Sequence, residues 1–296
     1  MKAALGVDVG GTKISAALVS DEGELLGDIY RTATEANRAQ DEIEENLVQV
    51  LQAALKNAPV SLEHIAGVGL GLPGPLDAKQ GVLLTPNNLP TLHGYPVARR
   101  VAERLHLPVK INNDANVFAL GEAVFGSARQ SDIVIGLTLG TGFGCGVVLN
   151  RKIFEGATGT AGEIYLSPYN NTQFEEIISG RGLARLYEKH SGQKVFGPEI
   201  ESRARLGEEA ALNSWQEFGF HLGRIIAHMV NFLDPDAVVV GGSISHAFDL
   251  FEPEMRKQIE DNINPNPREH VKILKSRLGE EAAIFGAAAL ILERSQ

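Results

Sequence analysis

Apolar positions along the chain fall into short unbroken runs and longer stripes of period four, and the two kinds alternate. Residues 3–9 (AALGVDV) are one such run, closed by Gly10 and Gly11, and residues 14–19 (ISAALV) are the next. Together they predict a strand, a glycine turn and a second strand. Over 41–56, Ile43, Leu47, Leu51 and Leu55 recur every four residues, which is the stripe of an amphipathic helix. Residues 65–72 (IAGVGLGL) predict a strand ended by Pro73-Gly74-Pro75. A helix over about 97–106, a short strand over 109–111 and a helix over 115–124 follow.

The opening pattern then returns. Residues 132–139 (DIVIGLTL) predict a strand, Gly140-Thr141-Gly142-Phe143-Gly144 a turn, and 146–149 the start of the next strand. The two hairpins lie roughly one lobe apart, so the chain reads as a duplicated α/β architecture and not as an array of short repeats. A long helix over 208–233 carries Phe218, Leu222, Ile225, Met229 and Phe232 as one apolar stripe and stops at Asp234-Pro235. Residues 237–240 (AVVV) predict a buried strand running into Gly241-Gly242-Ser243. A helix over 247–262, a strand over 271–275 and an alanine-rich helix over 280–293 complete the pattern.

A length of 296 residues suits two α/β lobes with separate cores. The net charge of -10 argues against a nucleic-acid partner. Cys145 is the single cysteine, which excludes an intramolecular disulfide and a cysteine metal cluster and fits a reducing compartment. The N-terminal MKAALGVDVGGTK lacks the apolar core of a signal peptide. No run approaches the roughly 18 apolar residues of a membrane span. The expected location is the cytoplasm, with no membrane partner.

Phosphate groups bind well where backbone N–H groups converge and no side chain blocks approach. Asp8-Val9-Gly10-Gly11-Thr12-Lys13 offers such a turn, as do Gly140-Thr141-Gly142 and the strand end at Gly241-Gly242. Tight hairpins need glycine in any protein, so each turn alone stays open between the two readings. The three together, with Asp8, Thr12 and Thr141 beside them, favour a nucleotide site. There is no G-x-x-x-x-G-K-[ST] run. Gly69-Leu70-Gly71-Leu72-Pro73-Gly74 matches G-x-G-x-x-G, but Pro73 and Pro75 stand where a dinucleotide fingerprint needs a helix. It reads instead as a bend that brings backbone close to a small ligand.

Transfer of a phosphoryl group to an alcohol needs a carboxylate to take the hydroxyl proton. Asn113-Asp114, at a strand end before a helix, is the candidate. Spacing alone leaves Asp114 open between base and helix cap. The Asn113 amide can both donate to and accept from sugar hydroxyls. Glu163 follows the flexible stretch GATGTAGE, and Glu175 opens a helix before Ser179-Gly180. Each stays open between ligand contact and ordinary surface acid. The histidines are scattered, with His221 and His228 seven residues apart, and show no zinc spacing.

The ordered set of motifs resembles the ROK family of sugar kinases, within the actin/hexokinase/Hsp70 ATPase superfamily, over nearly the whole chain. Gly6–Lys13 resembles the family's first phosphate motif, Gly69–Pro75 its sugar-side loop, and Asn87-Asn88-Leu89-Pro90 the asparagine segment that follows. Asn113-Asp114-Ala115-Asn116 with Gly121-Glu122 resembles its catalytic segment, and Leu139–Gly144 its second phosphate motif. Gly162-Glu163-Ile164 and Val240-Gly241-Gly242-Ser243 resemble its Gly-Glu-Ile and adenosine motifs.

The resemblance implies a two-lobed actin/hexokinase-like (ribonuclease H-like) ATPase fold with a duplicated core. Residues 1–112 would form a smaller lobe and 113–279 a larger one, with a C-terminal helix over about 280–296 packing back on the first. It implies Asp114 as general base, and Gly74, Asn88, Asn113, Glu163 and Glu175 as sugar contacts. Asp8 would orient magnesium through water. Gly10, Gly11, Thr12, Lys13, Gly140, Thr141 and Gly142 would lie near the ATP phosphates, and Gly241 and Gly242 near the adenosine. Family members often form homodimers.

One stretch departs from the family. Tyr165-Leu166 stands where many members have Gly-His, and 167–174 (SPYNNTQF) has no cysteine of their zinc motif. No structural zinc is expected, and the orientation of Glu175 is left open. The activity implied is ATP-dependent phosphorylation of a hexose, at O6 and with glucose first. Fructose, mannose, allose and N-acylhexosamines are alternatives, as is a catalytically silent sugar-binding regulator. Repressors of the family carry a winged-helix domain before the first phosphate motif. That motif begins here at Gly6, so a kinase is expected.

Overall fold

Two glycine-turn hairpins of nearly continuous apolar residues seed two sheets. The computed structural model describes residues 1–292, so the last part of the expected C-terminal helix, 293–296, lies outside the described residues. In it β1 (Ala3–Val9) turns into antiparallel β2 (Lys13–Ser20), with Val9 opposite Ile14. β3 (Tyr30–Ala33) extends the sheet at β2, α1 (Gln40–Lys56) follows, and β4 (Ile65–Leu72) pairs parallel to β1. A small hairpin of β5 (Leu76–Asp77) and β6 (Val82–Leu83) leads to α2 (Val97–Leu105). Then β7 (Val109–Asn113) runs straight into α3 (Asp114–Val124).

The second half repeats the plan. β8 (Ile133–Leu139) and β9 (Phe143–Leu149) pair antiparallel, and β10 (Lys152–Ile153) follows at β9. A hairpin of β11 (Pro168–Tyr169) and β12 (Thr172–Gln173) leads to α4 (Phe174–Ile177), α5 (Gly180–Ser191) and α6 (Gly197–Arg205). After α7 (Glu209–Leu233), β13 (Ala237–Gly241) pairs parallel to β8. α8 (Phe248–Asn262), α9 (Pro265–Arg268), β14 (Lys272–Lys275) and α10 (Ala282–Ala289) complete the chain. The strand orders are β3-β2-β1-β4-β7 and β10-β9-β8-β13-β14. They match strand for strand, so the duplicated α/β core expected from the returning hairpin is present in the topology.

Backbone contacts too close for side chains join the parts. A Cβ at Gly6 would lie 1.9 Å from the Ile284 carbonyl oxygen of α10, and one at Gly69 1.7 Å from that of Ala287. A Cβ at Gly71 would lie 2.6 Å from a Val117 methyl. Gly69 and Gly71 thus seat helices against β4, which corrects the reading of their run as a bend around a ligand. Of that run, Pro73 and Gly74 reach the cleft described below.

The stripe assigned to α7 is also one turn too long. Met229 and Val230 are buried, but Phe232 is 90 % exposed, so the core beneath α7 ends before the apolar pattern does. α5 and α6 were not visible in the sequence pattern. The start of α5, Gly180-Arg181-Gly182, carries two glycines that weaken any helical signal.

Candidate active site

The turns and strand ends singled out above meet around one open cleft of about 1010 Å³. Gly74, Asn88, Asn113, Asp114, Gly140, Thr141, Gly142, Glu163, Glu175 and Gly242 all line it. Asp8, Gly10, Gly11, Thr12, Lys13 and Gly241 are not among its lining residues. The first glycine turn nonetheless touches the site. A Cβ at Gly11 would lie 3.1 Å from the Asn88 carbonyl oxygen. Gly10 N–H donates to the Lys13 carbonyl (2.9 Å), and buried Thr34 donates its hydroxyl to the Gly10 carbonyl (2.6 Å) and its N–H to that of Thr12 (3.0 Å). The turn is therefore held at both ends.

Asp114 and Asn113 sit where β7 becomes α3. Asn113 is the N-cap residue, its Oδ1 accepting from Ala115 N–H (2.9 Å), and Asp114 Oδ1 accepts from the same N–H (2.8 Å). Capping thus falls mainly to Asn113, and Asp114 stands as the first helical residue facing the cleft. Asp114 is open to cleft water yet enclosed by the walls around it. That burial pushes its carboxyl up, against the Ala115 N–H, which favours the charged form. Asn112, buried behind the pair, accepts at Oδ1 from Asn113 N–H (2.9 Å) and Asn116 Nδ2 (2.9 Å), and donates from Nδ2 to Glu155 Oε1 (2.9 Å). Sequence reasoning passed over Asn112 and Glu155. The signal for Asn112 was its place next to the Asn-Asp pair. Nothing in the sequence marked Glu155, which arrives from beyond β10.

Other carboxyls share this field. Asp8, partly buried near the end of β1, is pushed up to about 6, first by burial and next by the charge of Asp114, while Lys13 pulls it back. Glu163 lies on the cleft wall, and its carboxyl is raised first by partial desolvation and then by Asp114. Gly162 takes φ 87°, and a Cβ there would lie 2.4 Å from the Cys145 carbonyl oxygen, so only glycine lets the Glu163 segment lie against β9. Cys145, buried in β9, is pushed up to about 12 by burial and then by Glu163, so it is inert packing and no nucleophile.

The second glycine turn is closed by Gly140 N–H donating to the Gly142 carbonyl (3.0 Å). Gly180 N–H, at the start of α5, donates to the Gly140 carbonyl (2.8 Å). Glu175 lies against the same turn: Oε2 accepts from Phe143 N–H (3.1 Å) and Oε1 from Arg181 Nη2 (2.6 Å). Gly242 takes φ 79°, with a virtual Cβ 2.4 Å from the Leu139 carbonyl oxygen. Gly241 is buried, and the Phe118 ring fills the space of its missing side chain.

The stretch that departs from the family pattern is an aromatic hairpin. Tyr169 is buried, edge-on to Phe174 (5.8 Å) and to His221 of α7 (5.6 Å), with its Oη 3.1 Å from His221 Nδ1. Glu175 N–H donates to the Tyr165 carbonyl (3.1 Å), which ties the start of α4 to the cleft wall. Among the described residues, no group of three or more His, Cys, Asp or Glu is placed to hold a metal.

The sequence model of the ROK family matches residues 4–294. A glucokinase of Thermotoga maritima is 31% identical over 98% of this chain and 97% of its own. An N-acetyl-D-glucosamine kinase of Vibrio cholerae is 32% identical over 96% of this chain and 98% of its own. A xylose repressor of Bacillus subtilis is 27% identical over 98% of this chain but 77% of its own. The crystal structure of a ROK family glucokinase from Streptomyces griseus, in complex with glucose and AMPPNP, superposes with a TM-score of 0.81 at 29% identity. It covers 98% of this chain and 99% of that one. The described fold is thus the two-lobed α/β fold of the ROK sugar kinases.

Proposed function

This chain belongs to the ROK family, and from that premise we propose that it is an ATP-dependent kinase acting on the O6 hydroxyl of a hexose, with glucose first. N-acylhexosamines, mannose, fructose and allose are the alternatives to be screened beside it. The observation that carries the reading is Asp114 and the Gly140–Gly142 turn lining one cleft. A candidate base and a candidate phosphate cradle thereby share the space in which sugar and nucleotide must meet. The working units are 1–112 with the C-terminal helix and 113–279, closing over the cleft in the cytoplasm.

In this mechanism Asp114 accepts the proton of the attacking hydroxyl. Its raised pKa makes it a stronger proton acceptor than an ordinary aspartate. The Asn112–Glu155 and Asn112–Asn116 bonds hold Asn113 where its amide can meet a neighbouring sugar hydroxyl. Glu163 and Glu175 accept from further hydroxyls, since each Glu175 carboxylate oxygen retains a lone pair beyond its protein partner and a carboxylate accepts at both oxygens. Asn88 and the backbone at Gly74 complete the sugar side. Thr12, Lys13 and Thr141, with Gly10, Gly11, Gly140 and Gly142, receive the phosphates, and Gly241 and Gly242 the adenosine. The negative charge of Asp114 acts on Asp8, and such a field fits a hard divalent cation with oxygen ligands. Asp8 would hold magnesium there, through water. Magnesium bound with ATP supplies neutralisation of the phosphate charge.

An ADP-release assay with Mg·ATP and a panel of hexoses, fructose and N-acetylhexosamines tests the reading. Turnover of one sugar, abolished by EDTA, is the expected result. No turnover with any sugar would overturn it in favour of a silent sensor.

The raised carboxyls also set a pH dependence. Metal-holding groups work as anions, so activity is expected to fall as pH drops through about 6, the value reached by Asp8. More magnesium should move this acid limb to lower pH, because cation and proton compete for one carboxylate. A limb that ignored magnesium would count against Asp8 as the metal-holding group.

A further inference from the structure

The cleft is acidic. Asp77, Asp114, Glu155, Glu163 and Glu175 line it, against Lys79 and Arg181. A nucleotide polyphosphate entering there needs cationic groups beside the glycine turn. Lys79 belongs to the β5–β6 hairpin, next to the sugar-side Gly74-Pro75 bend. Arg181 is placed differently. It is the second residue of α5, and the residue before it, Gly180, is bonded to the Gly140 carbonyl of the second glycine turn.

The guanidinium is also tethered to that turn. Glu175 takes Phe143 N–H on Oε2 and Arg181 Nη2 on Oε1, and a Cβ at Gly142 would lie 2.7 Å from the same Oε2. Glu176 adds a longer contact to Nη2 at 3.7 Å. All of these use one nitrogen. Among the described residues, Arg181 Nε and Nη1 make no hydrogen bond, and the side chain is 54% exposed. A surface ion pair by itself contributes little to stability. A guanidinium with spare donors, held at a backbone cradle, has the planar fork that matches phosphate oxygens.

We infer that Arg181 is a phosphate-binding residue of the nucleotide site, positioned over the second glycine turn by Glu175. The inference rests on the kinase reading above and adds to it a residue outside its motifs. Glu175 would then do two things, orienting Arg181 through Oε1 and fixing the turn through Phe143 N–H. The cation partly offsets the carboxylates that would otherwise repel the incoming phosphates.

Equilibrium binding of ATP, ADP and adenosine, with magnesium, to the wild type, Arg181→Gln and Arg181→Lys tests this. Charge-assisted hydrogen bonds are worth about 1.5–3 kcal/mol, so Arg181→Gln should weaken ATP and ADP by about ten- to a hundredfold. Adenosine affinity should stay within about twofold, which shows that the variant is folded and the nucleoside end of the site intact. Arg181→Lys should recover part of the loss, since a point charge replaces the fork. Equal weakening of ATP and adenosine, or unchanged ATP binding in Arg181→Gln, would overturn the inference. A wild type that binds adenosine but gains nothing from phosphates would overturn it too. A wild type that binds neither nucleotide nor nucleoside would overturn the kinase reading and this inference together.

Discussion

Asp114→Asn is expected to lower kcat by about 10²–10⁴ while leaving the KM for ATP and sugar within a few fold. Asparagine keeps the size of the side chain and, through its carbonyl oxygen, the bond from Ala115 N–H. Asn113 continues to cap α3 in the variant. The change therefore removes the proton acceptor and little else. Because the variant also removes a negative charge, its partners report on it. Asp8 and Glu163 are both raised in part by Asp114, so both should titrate lower in Asp114→Asn. Carboxyl titration followed by NMR would show those shifts without any turnover. A variant with near-normal kcat would remove Asp114 from the role of base, and unshifted Asp8 would remove the electrostatic link.

Gly286→Ala is expected to have the largest effect on stability. A Cβ there would stand 1.6 Å from the Val117 carbonyl oxygen of α3 and 2.8 Å from Gly121 N. Gly121 faces α10 in return, with its own virtual Cβ 2.3 Å from the Ala282 carbonyl. The obstacles are backbone atoms of a buried helix, so no side chain can swing aside. α3 and α10 would have to separate, losing contacts along both. Overpacking of this kind costs about 1–3 kcal/mol and sometimes more. A loss of several degrees in the thermal midpoint follows for a protein of this size. α3 begins at Asp114, so the displacement should also lower kcat. A variant that melts with the wild type would mean that these helices do not pack as described. Ala283→Gly, at a neighbouring position that is not fully buried, is the control for helix propensity and should cost only about 1 kcal/mol.

Much of this fold was legible because strand and turn patterns are local. The hairpin over 3–19, the strand at 65–72 and the second hairpin each declare themselves within a few residues, by a largely apolar run ended by glycine or, after 72, by proline. Their repetition was enough to expect a duplicated core. Segments whose apolar residues are sparse or mixed with glycine were not legible in the same way. β3 and the β11–β12 hairpin are too short for a period to show, and α5 opens on Gly180-Arg181-Gly182. Phe232 shows the opposite failure, since a helical stripe records which face is apolar but not where the neighbouring elements stop.

The site divides along the same line. Sequence alone determined the chemical parts: the glycine turns, Asn113-Asp114 and the acids at 163 and 175, together with the absence of cysteine from 167–174. Those follow from residue type and order, which a chain carries whether folded or not. Tertiary structure alone decided how the parts meet. It brought Glu155 to Asn112 and set Arg181 and Glu175 on the second glycine turn. It also gave Gly69 and Gly71 to helix packing, where the sequence had suggested a ligand. The reason is physical. A glycine permits close approach without naming what approaches, and a carboxylate accepts a proton or a hydrogen bond from whatever the fold places beside it. The pKa of Asp8 is the clearest case, because its rise comes from burial and from Asp114, a residue more than a hundred positions away in the chain.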